Sequence, residues 1–158
     1  MTELTEGAKA PDFELQGDAG PIRLADFAGR PLVLYFYPKD DTTGCTKEAQ
    51  DFSALADEFR KAGAAVLGVS KDSVKSHGKF VEKYGLSIPL GSDPEGAVVE
   101  RYGSWVEKSM YGRKYMGTDR STFLIDGKGV IRRIWRKVKV PGHAQEVLKA
   151  VQGLTTAA

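Results

Sequence analysis

The chain has 158 residues, of which 41% are hydrophobic and 28% charged, and its formal net charge is +2. A chain of this length can bury a substantial core, and we expect residues 1–158 to form one domain. The net charge is too small to indicate a nucleic-acid-binding surface. No apolar run approaches the roughly 20 residues that cross a bilayer. From the charge and the apolar runs together, the sequence predicts neither a nucleic-acid nor a membrane partner.

The chain contains one cysteine, Cys45, which excludes an intramolecular disulfide. Residues 1–6 are acidic and lack the apolar segment that a secretory signal carries. A lone thiol without a secretory signal favours a reducing compartment, and we expect the protein in the cytoplasm.

The first half of the chain predicts strands followed by one long helix. Short strands are expected over residues 12–15 and 22–24, with a turn over residues 17–20 between them. Residues 32–37 are apolar throughout, which is typical of a strand covered on both faces. A helix that Gly63 ends should follow. Its buried face repeats at spacings of three and four residues and consists of Ala49, Phe52, Leu55, Ala56 and Phe59.

The second half begins with another continuous apolar strand, over residues 64–70. Residues 73–84 predict a helix that Gly85 ends. A short helix is expected over residues 94–102, with Asp93 as its N-cap and a proline at its first position.

The chain closes with a hairpin and a helix. Strands over residues 122–125 and 130–136 flank the turn signal at residues 126–129, and a last helix should run over residues 142–151. A βαβ unit followed by a hairpin and a helix predicts an α/β protein, because right-handed crossovers make the first two long strands parallel. This order resembles a thioredoxin-like fold, a central mixed β-sheet flanked by helices, with an N-terminal extension.

Cys45 lies where an apolar strand gives way, through a short polar loop, to a helical pattern. The thiol is therefore expected in the first turn of a helix. Unpaired backbone N–H groups and the positive end of the helix dipole stabilise a thiolate at such a position. A lone cysteine is more often a small buried hydrophobic residue, but this position favours a nucleophile.

The loop and helix start read YFYPKDDTTGCTKE over residues 35–48. This stretch resembles the active-site motif of the peroxiredoxins, in the branch called bacterioferritin comigratory protein or peroxiredoxin Q. The resemblance continues through YGRKYMG at residues 111–117, RSTFLID at residues 120–126 and KVKVPGHA at residues 137–144, and so covers nearly the whole chain. It implies a thiol-dependent peroxidase that reduces hydrogen peroxide and organic hydroperoxides.

The resemblance assigns a role to each matching residue. Cys45 is expected to be the peroxidatic cysteine, which attacks the peroxide and becomes a sulfenic acid. Thr42 should place its hydroxyl beside the thiolate and the peroxide, and Pro38 should shape and shield the loop. Arg120 should hold the thiolate and a peroxide oxygen together, and Glu48 should brace the arginine.

Other charged and ionisable groups near the motif receive no chemical role. Asp40 and Asp41 would oppose thiolate formation, and we expect both to point to solvent. His77 and His143 are not expected to act in the reaction. No spacing of cysteine and histidine predicts a metal, and no glycine-rich phosphate loop follows a strand, so we expect no cofactor.

The sequence departs from the branch in its lack of a resolving cysteine. Many members carry one five residues after the first, where this chain has Gln50, and others carry it in the next helix, where residues 79–81 contain no sulfur. The resemblance then implies a one-cysteine cycle, in which glutathione, thioredoxin or glutaredoxin reduces the sulfenic acid. We expect a monomer or a weak dimer.

Two other functions stay open from the sequence alone. A thiol–disulfide oxidoreductase is disfavoured, because Thr42 stands where a dithiol motif would have its first cysteine. A redox sensor or holdase would instead use oxidation of Cys45 to change partner binding.

Overall fold

The computed structural model describes residues 4–156, together with the side chains of residues 4–154. Residues 1–3, half of the acidic segment that entered the prediction of a cytoplasmic location, lie outside the described residues. The elements in chain order are β1 (Glu14–Gly17), β2 (Gly20–Arg23), a 3₁₀ turn (Leu24–Phe27), β3 (Leu32–Phe36), α1 (Thr43–Ala54), α2 (Ala56–Lys61), β4 (Ala65–Ser70), α3 (Val74–Tyr84), β5 (Leu90–Ser92), α4 (Ala97–Arg101), β6 (Trp105–Met110), β7 (Arg113–Thr118), β8 (Ser121–Ile125), β9 (Ile131–Trp135) and α5 (His143–Thr156).

Seven of these strands form one mixed sheet in the order β2-β1-β5-β4-β3-β8-β9. Strands β3, β4 and β5 are parallel, whereas the flanking pairs are antiparallel. The register places Phe36, the last residue of β3, opposite Val69 of β4 and opposite Ser121, the first residue of β8. The carboxyl end of β3 and the amino end of β8 therefore meet at one edge of the sheet, which we call the upper edge.

The sheet separates two apolar layers, as the predicted thioredoxin-like fold requires. Central strand β3 is buried along its whole length and sends alternate side chains to the two faces. One face is covered by α1, α2, α3 and α5, and the other by α4 and the N-terminal segment. The predicted fold class is confirmed, including the N-terminal extension, which supplies β1 and β2.

The prediction of a single long helix after β3 is wrong, because this segment forms two helices, α1 and α2, separated at Leu55. The apolar face continues through the break, since Leu55 and Ala56 both pack on the same core layer. In the last turn of α1, the Ser53 carbonyl accepts a hydrogen bond from the Ser87 hydroxyl at 3.1 Å. The spacing of apolar residues indicates which face of the helices is buried, but it does not predict the break at Leu55.

The short helix predicted over residues 94–102 begins later, at Ala97. Gly96 adopts a left-handed conformation, with φ of 76°, which excludes it and the preceding turn from the helix. Asp93 still caps the helix, because its Oδ2 accepts hydrogen bonds from the backbone N–H groups of Val98 at 3.0 Å and Val99 at 2.9 Å.

Strand β5 and the hairpin of β6 and β7 were not predicted. The hairpin forms a separate two-stranded ribbon, with Trp105 opposite Thr118 and Met110 opposite Arg113. Its turn has positive φ at both central residues, 53° at Tyr111 and 78° at Gly112, the conformation of a tight hairpin turn. We call residues 105–118 the arm.

Candidate active site

Cys45 is the third residue of α1, in the first turn, as the sequence predicts. β3 delivers the chain to the upper edge, a loop crosses it, and Thr42 stands at the N-cap position in an extended conformation. Cys45 is a free thiol and only 2% exposed. The thiol therefore lies at a helix N-terminus within the core layer that α1 covers.

Arg120 reaches the thiol from a distant part of the sequence. It immediately precedes β8, whose first residue lies opposite the end of β3, so pairing in the sheet brings it to the upper edge. Its Nη2 donates a hydrogen bond to Cys45 Sγ at 3.4 Å. Gly44 allows this approach, because a Cβ atom at that position would lie 3.1 Å from Nη2.

Glu48 holds the other side of the same guanidinium. One turn of α1 beyond Cys45, it is 1% exposed, and its Oε1 accepts a hydrogen bond from Arg120 Nη1 at 2.6 Å. Burial raises the pKa of Glu48 to about 7 and outweighs Arg120, which lowers it. Oε2 is buried without a hydrogen-bond partner among residues 4–156, consistent with this direction.

The charge of Arg120 is secured by its two partners. Burial alone would lower the pKa of the guanidinium, but the neighbouring Glu48 and Cys45 raise it above its ordinary value. A permanent cation therefore stands against the sulfur. Such a cation stabilises a thiolate and any negative charge that develops beside it.

Thr42 and Pro38 lie in the loop between β3 and α1. The Thr42 hydroxyl donates to the Lys39 carbonyl at 2.8 Å, and within the described residues it makes no hydrogen bond to Cys45 Sγ. Its oxygen lone pairs are thereby left to accept a hydrogen bond. Pro38 is the second residue after β3 and is exposed.

The prediction that Asp40 points to solvent is wrong. Its carboxylate is buried and accepts hydrogen bonds from the Tyr37 hydroxyl at 2.6 Å and the Ser76 hydroxyl at 2.8 Å, and pairs with His77 Nδ1 at 2.8 Å. Burial raises the pKa of Asp40, but the hydrogen bonds from His77, Tyr37 and Ser76 together lower it. Asp41 is exposed, as predicted, and pairs there with Lys83.

His77 and His143, neither of which was assigned a chemical role, are both buried. His77 joins α3 to the loop through Asp40 and places Nε2 3.1 Å from the Gly91 carbonyl. His143, the first residue of α5, packs its ring against Phe52 of α1 and shares a 2.7 Å hydrogen bond between its Nε2 and the Thr122 hydroxyl. Burial lowers the pKa of His143 to about 4.

Sequence reasoning missed Gly44 and the roles of Asp40 and His77. For Gly44 the adjacency to Cys45 was a usable signal, because a residue without Cβ beside a reactive atom permits a close approach. For Asp40 and His77 no signal existed, because the two residues lie 37 positions apart and only the packing of α3 joins them.

Residues 4–156 contain no group of three or more histidine, cysteine, aspartate or glutamate side chains arranged to hold a metal ion. No helix in the same part of the chain is long and apolar enough to cross a membrane.

Comparison with known proteins gives consistent matches. The model of the AhpC/TSA family matches residues 7–134. Peroxiredoxin Bcp of Xanthomonas campestris is 54% identical over 155 residues, 96% of this chain and 97% of that protein. Peroxiredoxin Bcp of Bacillus subtilis is 47% identical over 150 residues, 94% of this chain and 96% of that protein.

The chain belongs to the peroxiredoxin family. Solved structures agree: a mutant of Xylella fastidiosa PrxQ superimposes with a TM-score of 0.91 at 39% identity, covering 98% of this chain and 99% of that one. A structure of the X. campestris bacterioferritin comigratory protein, described by its alkyl peroxide reduction activity, gives 0.86 at 48%, covering 90% and 92%. This peroxiredoxin of the Bcp/PrxQ branch is a thiol-dependent peroxidase with a single cysteine.

Proposed function

We propose that Cys45 is the peroxidatic cysteine and that Arg120, Glu48, Thr42 and Pro38 form its supporting site. The observation that carries the proposal is the guanidinium of Arg120, which Glu48 fixes at Nη1 at 2.6 Å while Nη2 meets Cys45 Sγ at 3.4 Å. One rigid cation thereby faces both the nucleophile and the space in which a peroxide oxygen would sit.

The reaction begins when the Cys45 thiolate attacks the terminal oxygen of a hydroperoxide. A sulfur–oxygen bond forms as the oxygen–oxygen bond breaks, so the sulfur is oxidised by two electrons and becomes a sulfenic acid. The leaving oxygen takes up a proton and departs as water or an alcohol. Arg120 stabilises the negative charge that develops on that oxygen.

Thr42 complements the arginine. Because its hydroxyl proton is directed at the Lys39 carbonyl, its oxygen can accept a hydrogen bond from the O–H of a hydroperoxide and orient the terminal oxygen toward sulfur. Pro38 has no backbone N–H to attract water into the loop and restricts its conformation. The substrates are hydrogen peroxide and organic hydroperoxides, the latter supported by the alkyl peroxide activity named for the X. campestris relative.

The second half of the cycle needs a thiol from outside the chain. With Cys45 as the only cysteine, its sulfenic acid has no internal thiol to meet, and thioredoxin, glutaredoxin or glutathione supplies one. The cytoplasm is the compartment in which such thiols are kept reduced. An excess of peroxide should carry Cys45 to the sulfinic acid, because no resolving cysteine competes for the sulfenic state.

The variant Cys45→Ser tests the proposal. It should consume no hydrogen peroxide with dithiothreitol as reductant and keep the wild-type circular dichroism and unfolding midpoint, because serine is nearly isosteric but much less acidic. Thr43→Ser, an equally small change at the exposed first residue of α1, is the matched control and should retain activity. Thiol-dependent peroxide turnover by Cys45→Ser would show that Cys45 is not the nucleophile.

A further inference from the structure

The arm carries the exposed large hydrophobic side chains of the described part of the chain. They are Met110 at 56% exposure, Tyr111 at 99%, Tyr115 at 44% and Met116 at 49%. Tyrosine and methionine are enriched at protein–protein interfaces, where an aromatic ring supplies rigid contact area and a flexible thioether adapts to the partner. A group of such side chains on one projecting ribbon marks an interaction site.

Both faces of the arm combine apolar and cationic side chains. Because side chains alternate along a strand, Met110 and Tyr115 share one face with Lys108 and Arg113, and Met116 shares the other with Lys114. The arm contains Lys108, Arg113 and Lys114 but only one carboxylate, Glu107, which pairs with Lys114 at 3.8 Å. The arm therefore has a net positive charge and favours a partner surface that combines carboxylates with apolar side chains.

The arm rises from the upper edge, where Cys45 lies. At its base the backbone N–H of Asp119 donates to the Ser104 carbonyl at 2.7 Å, and the next residue is Arg120. Lys71, which directly follows β4 at the same edge, places its ammonium 4.2 Å from the ring centre of Trp105. The arm therefore ends two residues before Arg120, the side chain that contacts the Cys45 thiol.

We propose that the arm is the docking surface for a dithiol protein that reduces Cys45, one whose reactive cysteine lies among apolar side chains and carboxylates. The proposal rests on the function above, because the sulfenic acid of Cys45 must meet an external thiol. A thiolate of the partner attacks the Cys45 sulfur, forms a disulfide and displaces hydroxide, which leaves as water. The second thiol of the partner then attacks the partner's own sulfur, so the partner is oxidised by two electrons and the Cys45 thiolate is released.

A second copy of the chain is a less suitable occupant. Two arms facing each other would bring together two groups of three cations, Lys108, Arg113 and Lys114, against a single carboxylate on each side. Like charges placed opposite each other across an interface disfavour it. An acidic partner instead gains from both the apolar side chains and the cations of the arm.

The experiment compares two reductants, bacterial thioredoxin and dithiothreitol, at low salt. One variant removes apolar contact area, Tyr111→Ser with Met116→Gln, and a second reverses charge, Arg113→Glu with Lys114→Glu. A matched control reverses two exposed cations at the opposite edge of the sheet, Lys61→Glu with Lys128→Glu. For thioredoxin, kcat/KM should fall about tenfold or more in each arm variant and stay within about twofold in the control.

The same variants should leave two other rates within about twofold of wild type, because exposed arm residues touch neither Cys45 nor Arg120. These are turnover with dithiothreitol and the rate of Cys45 oxidation by peroxide. A wild-type kcat/KM for thioredoxin that falls with rising salt, and falls less in the charge-reversal variant, would further support docking.

Four results would overturn the proposal. Wild type could turn over with dithiothreitol but not with thioredoxin, or the arm variants could retain the thioredoxin rate. The arm variants could lose the dithiothreitol rate as well, which would make the arm part of the reaction site. Light scattering could show a wild-type dimer that the arm variants abolish without any change in the thioredoxin rate, which would make the arm a contact between copies. A failure of wild type to consume peroxide even with dithiothreitol would instead refute the proposed function.

Discussion

At the residue scale, one arginine connects the charge of the site to its geometry. Arg120 gives Nη1 to Glu48 and Nη2 to Cys45, and the burial of Glu48 restricts where that guanidinium can lie. Because a guanidinium is planar, fixing one nitrogen fixes the direction of the others. The position of the cation relative to sulfur is therefore set before a peroxide arrives, which is the condition for effective electrostatic stabilisation.

Gly44 determines how closely that cation approaches. The variant Gly44→Ala should slow the oxidation of Cys45 by peroxide about tenfold, because its Cβ would lie 3.1 Å from Nη2 and push the guanidinium away. The same change should keep or raise the free energy of unfolding, since alanine favours a helix by up to about 1 kcal/mol over glycine. Stopped-flow oxidation and urea unfolding measure the two effects.

Gly78→Ala is the matched control for this variant. Gly78 lies within α3, where a Cβ would meet no atom within 4 Å, so alanine there should stabilise the protein without changing the rate of oxidation. An unchanged oxidation rate in Gly44→Ala would show that the approach of Arg120 does not limit the reaction.

Thr42 tests the proposed peroxide contact. Thr42→Val has nearly the same shape but no hydroxyl, and it should slow oxidation of Cys45 by about 10²–10³, the usual effect of removing a hydrogen bond made to the reacting group. Thr42→Ser keeps the hydroxyl and should retain most of the rate. Equal rates in the valine and serine variants would exclude a role for the hydroxyl in binding peroxide.

At the scale of elements, a buried polar group attaches the active-site loop to α3. Asp40 binds Tyr37 within the loop, Ser76 and His77 on α3, and through its backbone N–H the Asp72 carboxylate at 2.8 Å. Every partner of the carboxylate is a donor, so the negative charge is satisfied without solvent. The helix thereby fixes the loop that leads to Cys45.

Replacing Asp40 by asparagine should break this attachment. Asp40→Asn places an uncharged amide against His77 and should lower the free energy of unfolding by about 3 kcal/mol, because hydrogen bonds to a buried charged group contribute about 1.5–3 kcal/mol each and an amide nitrogen accepts none. The oxidation rate of Cys45 should fall as well, because the loop loses its anchor. Asp41→Asn is the control one residue away, where an exposed ion pair with Lys83 should matter far less. Equal urea midpoints for the two variants would contradict the anchoring role.

At the scale of the whole molecule, two buried groups give opposite pH dependences of stability. The pKa of Glu48 is raised from 4.5 to about 7, so between these values the native state holds a proton that the unfolded chain has lost, and stability falls as pH rises. The pKa of His143 is lowered from 6.5 to about 4, so the unfolded chain holds the extra proton there and stability rises with pH. The two effects offset each other between pH 4.5 and 6.5.

Single variants should separate these opposing effects. Glu48→Gln leaves the contribution of His143, so its free energy of unfolding should rise more steeply than that of wild type between pH 4.5 and 6.5. His143→Gln leaves the contribution of Glu48 and should show the reverse slope. Urea unfolding across this range measures both, and parallel profiles for wild type and both variants would show that neither group titrates as stated.

The sequence by itself determined the alternation of strands and helices, the mixed α/β class and the place of Cys45 in a first helical turn. These depend on periodicity, caps and turns, which act over a few residues. It did not reveal the break at Leu55 or the arm. At the break, Ser53 forms hydrogen bonds with Ser87 of another segment, and the arm has no buried face to produce a periodic signal.

The family motif named Arg120 and Glu48. Glu48 lies one turn beyond Cys45 in α1, but only the tertiary structure brought Arg120 to the thiol. Arg120 is 75 residues from the thiol in sequence, and the pairing of β8 with β3 joins them. The burial of Asp40 also depends on tertiary structure. A charged side chain in a loop is expected to be exposed, and only the packing of α3 places Ser76 and His77 against this one. Local sequence indicates most of the strands and helices, whereas sheet pairing and helix packing decide which distant side chains meet and which charges are buried away from solvent.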